Sequence, residues 1–492
     1  MRPSTQSALG DLIRYLPSVV IPSGLGFLAV AVFTHLLPPE EYGLYILVFT
    51  TVVFVHTIAF SWINQAALRY FERYRAEETP SFQSTHTFGF LSLAVLMTAA
   101  WYAILLVYGS LPPRSYYMFS LGPPSVWVYS GGYFILTMLR AERSSTRYSA
   151  LAAANAVLKF TCGLAAILLF ERGADGILLG LIAAGAVVFG PEWLRWFRRM
   201  QPRRRFFSTA LIGVFFRYGM PVVALAFANI VLAASDRFLI EYFLGASAVG
   251  VYSAGYKIVE TGIMLFVNFL MLAAFPALVE TFEKSGRTQT QALMQDLLGV
   301  FLVLVFPVLV GIIVLAKEIV GTILGSAYFE VSTCVPWIAA GAFFMGLSMF
   351  YNKSFELAER TSMLLTLYSA AAALNVVLNL LMIPRLGIEG AAFSTLAAYA
   401  FAWMLSAAVG SRWIPWRFPW KTSIKVLFGS AVMGTVVALL PGLTSSWGSL
   451  LYKIVVGAIV YAACLLVTGR RILADLLGLL TRDRLVSGES SR

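Results

Sequence analysis

The chain has 492 residues, 59% of them hydrophobic and only 12% charged, with a mean hydropathy of +0.80. A soluble domain is nearer half apolar and a quarter charged, so this composition excludes one; the lack of two-residue alternation excludes an outer-membrane barrel. The formal net charge of +12 reads as a topology signal, not a nucleic-acid surface, because the cations lie in short loops between apolar runs.

A helix satisfies its own backbone in ~30 Å of hydrocarbon, so each apolar run of about 18 residues or more reads as a span. Fourteen follow in order: 12–37, 43–69, 85–109, 115–140, 148–170, 176–198, 209–234, 249–275, 293–316, 331–353, 362–384, 388–410, 422–441 and 449–469. With the N-terminus inside, the even-to-odd loops and the two termini carry about 27 of the 36 Lys and Arg. That bias predicts that both termini are cytoplasmic. No connection leaves room for a soluble catalytic domain, and no Gly-rich nucleotide loop is present. The first run carries Pro17 and Pro22 and no small-residue cleavage site, so no cleavable signal is expected. Cys162, Cys334 and Cys464 lie in or beside apolar runs without metal spacing and read as packing residues.

The chain repeats itself. Arg14-Tyr15-Leu16-Pro17 returns as Arg217-Tyr218-Gly219-Met220-Pro221, and Gly43-Leu44-Tyr45 as Gly250-Val251-Tyr252. Gly173-Ala174-Asp175-Gly176 returns as Gly387-Ile388-Glu389-Gly390. The shift creeps from about 203 through 207 to 214, as small loop insertions in a duplicated unit would make it. The expectation is an all-α polytopic membrane protein of about 14 transmembrane helices. Two homologous six-helix lobes, 1–205 and 206–411, surround a central cavity, and 412–492 adds two helices and a cytoplasmic tail. An even number of spans per half puts the pseudo-axis along the membrane normal.

Several stretches resemble the Wzx-type polysaccharide and oligosaccharide flippases of the multidrug/oligosaccharidyl-lipid/polysaccharide exporter superfamily. They are Leu36 to Tyr45, Asp236-Arg237 through Tyr252, Phe275-Pro276-Ala277-Leu278, and Asn375 to Asn379 through Ile383-Pro384 to Gly390-Ala391-Ala392. The resemblance implies transport without covalent chemistry: alternating access carries a polyprenyl-pyrophosphate-linked oligosaccharide across the bacterial cytoplasmic (inner) membrane, for surface polysaccharide synthesis. It implies no cofactor beyond a coupling ion, Na+ or H+, with membrane lipids, and a polysaccharide polymerase complex as a further partner, around a monomer. The first two spans hold no arginine cluster beyond Arg14 and Arg69, unlike lipid II flippases, which favours an O-antigen, capsule or exopolysaccharide unit.

Such a cargo needs cations for its phosphates and hydrogen-bonding groups for its hydroxyls, and a charge retained mid-membrane is a functional candidate. Arg14 and Arg217 are equivalent in the two halves. Beside them Pro17, Pro22 and Pro221 are expected to bend or break their helices. The pair either flanks the mouth of the cavity and grips pyrophosphate or anchors the helices by snorkelling. Lys257 and Glu260 share a face of span 8: the lysine meets phosphate and Glu260 balances it or couples an ion, or the two only satisfy each other. Lys159 and Asn155 share a face of span 5, and His56, Asn64 and Asn268 complete the polar set. Asn375 and Asn379 read as inter-helix hydrogen-bonding residues. Two rivals stand. A multidrug antiporter needs deep carboxylates, of which Glu260 is nearly the only one read here, and a glycan polymerase needs a large external loop.

Overall fold

The computed structural model describes residues 5–76, 80–107, 109, 111–415 and 417–468, and their side chains except 5–16, 75–76 and 272–273. The tail predicted at 469–492 lies outside the described residues, as does the side chain of Arg14. Among the described residues the regular structure is helical throughout. In order the helices are α1 (Thr5–Leu36), α2 (Pro39–Ala76), α3 (Pro80–Val107), α4 (Pro113–Ser120), α5 (Gly122–Ala141), α6 (Ser145–Leu169) and α7 (Asp175–Met200). Then come α8 (Thr209–Leu244), α9 (Ala246–Val314), α10 (Ala316–Ile323), α11 (Val335–Leu357), α12 (Thr361–Gly410), α13 (Trp420–Leu439) and α14 (Ser446–Thr468).

Among the described residues, ten helices are each long and apolar enough to cross a membrane. Two of them are pairs of arms. α9 breaks at Gly286 (φ +78°) and α12 at Gly387 (φ +60°), left-handed conformations that glycine takes without a Cβ clash. A 3-10 turn, Ser326–Thr333, enters α11 at a bend of 63°, and α4 with α5 covers the run expected at 115–140. Counted this way, each of the fourteen predicted runs has a helical counterpart.

Pro17, Pro22 and Pro221 lie inside α1 and α8, which remain helical through them; in apolar surroundings a helix keeps its remaining bonds because water offers no alternative. One expectation needs correction. Asp236 and Arg237, expected in a loop after residue 234, are inside α8. Their side chains pair at 2.8 Å, with exposures of 1% and 12%, so the helix absorbs both charges at once. Within the protein, Asp175, Glu192 and Asp236 are all more buried than Glu260.

The chain divides into two compact units, Met1–Gly250 and Val251–Arg492. In the first, α2 is the central helix, packed by α5, α8 and α3. Its core is aromatic: Phe60, Phe82, Phe90, Phe134, Phe215 and Trp196 are all buried. Helices α6 and α7 form a tight hairpin, and a Cβ on Gly180 would lie 2.4 Å from the backbone N of Gly163. Beside that hairpin Arg114 donates to Glu41 (2.7 and 2.5 Å) and to the fully buried Asp175 (2.7 Å). Hydrogen bonding to Glu41, and then to Asp175, pushes the guanidinium's pKa above its ordinary value. Helix α8 packs on α2 and α3 within this unit, which therefore extends past the lobe boundary expected at 205/206.

One close contact in this unit is reciprocal. A Cβ on Gly43 would lie 1.8 Å from the carbonyl O of Ala246, and one on Gly250 would lie 2.0 Å from the carbonyl O of Pro39. Residues 39 and 43 are each 207 positions before 246 and 250. The two turns therefore touch reciprocally, at the spacing the expected repeat assigns to equivalent positions.

In the second unit the arms of α12 pack on α11, and α13 and α14 form a hairpin. Asn379 donates to Asn375 Oδ1 (3.0 Å), and Asn375 reaches Thr395 on the other arm (3.4 Å). A Cβ on Gly390 would meet Met382 O at 2.5 Å. The Asn-x-x-x-Asn to Gly-Ala-Ala run thus closes the α12 hairpin. Lys453 of α14, 7% exposed, donates to Glu318 of α10 (2.5 Å), and Tyr461 to Val303 O (2.9 Å). These bonds tie the C-terminal hairpin to its neighbours.

Candidate functional site

Most of the described candidate polar residues fall into two classes: those that their surroundings satisfy and those left on exposed helix faces. In the first unit, Gly219 of α8 is where α8 crosses α2; its Cβ would lie 2.3 Å from Trp62 O. Arg217, two residues earlier and some 200° around the helix, is therefore turned outward and is exposed. Tyr218 meets Tyr70 edge to face at 5.6 Å. The Arg-Tyr-Gly sequence serves packing with one face and presents a cation with the other. Pro221, one turn on, is exposed as well. On α6, Asn155 and Lys159 are half-buried, and Asn155 Oδ1 is buried without a hydrogen-bond partner among the described residues. Lys159 has a partner of its own.

His56 and Asn64 are placed in the core. His56 Nδ1 is 3.0 Å from Ser130 Oγ, and its ring lies between those of Phe60, Tyr129 and Tyr133. Asn64 Oδ1 accepts from His86 Nε2 at 3.2 Å, and the His86 ring stacks on Phe134 at 4.3 Å. His86 is fully buried, and its Nδ1 has no partner among the described residues. Sequence reasoning missed this histidine because it falls at the polar edge of span 3, in Ser84-Thr85-His86-Thr87. Its neighbours hold the connector into α8: Ser84 Oγ accepts from Arg203 N (3.1 Å), Thr85 Oγ1 from Ser208 N (2.9 Å), and Thr87 Oγ1 from Trp196 Nε1 (2.9 Å).

In the second unit Lys257 Nζ donates to Glu260 Oε2 at 2.9 Å, with side-chain exposures of 52% and 23%. The pair is formed, yet the ammonium stays accessible. Asn268, three turns along α9, is exposed. A second cation, Lys353 of α11, went unnoticed because it ends its apolar run. It is 15% exposed, bonded to Glu356 (2.8 Å) and over the Phe275 ring at 4.4 Å. Asn352 donates to Tyr368 Oη (2.7 Å) and accepts from Ser406 (3.0 Å). Among the described candidates, Arg217 and Lys257 are thus the cations that the fold leaves presented, with Asn268 as the presented amide.

The model of the polysaccharide biosynthesis protein family matches residues 11–282. A probable low-salt glycan biosynthesis flippase of Haloferax volcanii, Agl15, is 24% identical over 202 residues, 41% of this chain and 43% of that one. An uncharacterized membrane protein of Methanocaldococcus jannaschii, MJ1068, is 23% identical over 209 residues, 42% and 41% of the two chains. The matched stretch spans less than half of either relative. In fold the chain is similar to the lipid II flippase MurJ in an inward closed conformation: TM-score 0.79, 14% identity, 94% of this chain and 100% of that one. It is also similar to an inward-facing multidrug resistance MATE family transporter, with a TM-score of 0.64, 15% identity, and 81% and 98% covered. At these identities the structural likenesses speak for architecture alone. The family match covers more than half of the chain and agrees with its membrane-helix architecture, so this multi-pass protein belongs to the polysaccharide biosynthesis protein family.

Proposed function

We propose that the protein is a flippase, not an enzyme, that carries a polyprenyl-pyrophosphate-linked oligosaccharide across the cytoplasmic membrane by alternating access. Family membership and a fold shared over 94% of the chain with a lipid flippase support a translocation role. The observation that carries the anionic cargo is the presented charge: Arg217 and the 52%-exposed Lys257 face outward, while Glu260 is the more covered partner of its pair. Each of these cations by itself offers charge-assisted bonds to a phosphate oxygen. Asn268 suits a sugar hydroxyl. A Na+ or H+ gradient or the membrane potential drives the cycle, both termini are cytoplasmic, and the monomer hands its product to a polymerase. The curated relatives matched are archaeal, so a bacterial host rests on the Wzx resemblance.

The test compares translocation of a labelled pyrophosphate-linked oligosaccharide by wild type, Lys257→Ala and Arg217→Ala in proteoliposomes. Both variants are expected to insert normally and to lose most of the rate. Unimpaired rates in both would remove these cations from the pathway.

A second reading, an ion-coupled multidrug antiporter, draws on the MATE likeness and on Asp236, a buried acid that the sequence reading placed in a loop. The Asp236–Arg237 pair weighs against it, because a carboxylate held by a guanidinium is not free for a cationic drug. Proton-coupled efflux of an organic cation, abolished by Asp236→Asn, would favour this reading.

A further inference from the structure

We propose that the pocket at the joined ends of α5, α6 and α7 binds the phosphodiester headgroup of an anionic membrane lipid. The pocket has a volume of about 410 Å³. Its rim carries four guanidiniums, Arg147, Arg195, Arg198 and Arg199, against two carboxylates, Glu142 and Glu192. Its floor is apolar: Ile135, Met138, Leu139 and Trp196.

The carboxylates position the arginines without neutralising them. Glu192, 6% exposed, accepts from Arg147 Nη2 and from Arg195 Nη1 (2.5 Å), and Arg199 Nη1 is 3.0 Å from Glu142 Oε1. Each pair occupies one guanidinium nitrogen, and a guanidinium has five N–H donors, so the remaining donors stay available at the opening. Arg198 has no ion pair among the described residues. Two positive charges therefore remain in excess in a preorganised, half-apolar cleft, which suits a bidentate contact to a phosphodiester.

The floor selects the source of that phosphodiester. A free phosphate gains nothing from isoleucine, methionine, leucine and tryptophan, whereas a glycerophospholipid buries its glycerol and upper chain there. The Trp196 ring is held in place by its bond to Thr87. The pocket opens at the end that the arginine-rich turns assign to the cytoplasm, and basic pockets between helices on that side are lipid headgroup sites. The nearby Arg203-Arg204-Arg205 run does not line this cleft. Arg204 and Arg205 are exposed, and Arg205 lies over the Phe206 ring at 4.7 Å. The inference is independent of the cargo, since none of Arg217, Lys257 or Asn268 lines this cleft.

The test is native mass spectrometry of the detergent-solubilised full chain titrated with phosphatidylglycerol and, separately, phosphatidylethanolamine. Wild type is expected to retain one phosphatidylglycerol in preference. Arg198→Gln should weaken it about fivefold and Arg198→Gln/Arg199→Gln about 25-fold, from the contribution of one arginine near a lipid surface. Arg203→Gln/Arg204→Gln, equal in charge removed, should leave it unchanged. Arg198 is exposed and unpaired, so the single variant is readable even if the double one does not elute as a monodisperse species. Equal weakening by the connector variant, no weakening by Arg198→Gln, or equal retention of phosphatidylethanolamine would overturn the site. Displacement of the lipid by millimolar glycerol 3-phosphate would reassign it to a soluble phosphate.

Discussion

The reciprocal contact of Gly43 with Ala246 and of Gly250 with Pro39 makes a quantitative prediction. A methyl on Gly43 would arrive 1.8 Å from a carbonyl oxygen, where ordinary contact begins at 3.4 Å. The obstacle is backbone, so no rotamer change relieves it, and the two turns must part by roughly 1.5 Å. Overpacking of that kind costs about 1–3 kcal/mol. Gly250→Ala, at 2.0 Å from Pro39 O, should cost a similar amount. Once one methyl has spread the crossing, the second finds room already made. The double variant should therefore lose less than the sum of the singles, by more than about 0.5 kcal/mol. The assay is an SDS unfolding titration of the purified protein, with Gly213→Ala, where no atom lies within 4 Å of the new Cβ, as the control. A loss below about 0.5 kcal/mol for Gly43→Ala, or strict additivity, would refute the reasoning.

Other outcomes follow from the buried charges. Arg114→Ala leaves Glu41 and the fully buried Asp175 without their shared cation. It should cost about 2–4 kcal/mol, discounted because the arginine is itself 39% exposed, and Glu41→Gln with Asp175→Asn in the same chain should restore most of it in the same titration. The Lys453–Glu318 pair should respond asymmetrically. Glu318→Leu strands an ammonium only 7% exposed and costs about 3 kcal/mol, while Lys453→Met leaves a carboxylate that is 38% exposed and costs about 1 kcal/mol or less. Equal losses would mean that the burial difference carries no weight. His56→Phe keeps the ring cage, gives up one hydrogen bond to Ser130 and should cost about 1 kcal/mol with transport unaffected. Lost transport at retained stability would return His56 to the transport pathway.

The positions of the spans were legible in the sequence because long apolar runs have one solution in lipid. Helix ends were less so. A hydropathy run stops at its first charge, yet α8 continues through Asp236 and Arg237 because each satisfies the other. Residues 276–292 read as a loop from their charges; they fold as helix on either side of Gly286, with Lys284 and Glu280 paired one turn apart. The site was legible in kind but not in arrangement. Arg217 and Lys257 were visible as costly charges, whereas the fate of His56 and Asn64 depended on Ser130 and His86, distant or unremarkable in sequence. The arginine pocket was invisible for the same reason: it joins residues from three helices whose charges each read as an ordinary loop signal.

The central claim is tested most directly by reconstituting the purified protein in liposomes that hold a polyprenyl-pyrophosphate oligosaccharide and following its exposure to a membrane-impermeant glycosidase added outside. A flippase should bring the whole lipid pool within reach of the enzyme, under an imposed ion gradient or potential, while protein-free liposomes expose only the outer leaflet. Exposure no greater than in protein-free liposomes, with the protein folded and oriented and the gradient intact, would contradict the account.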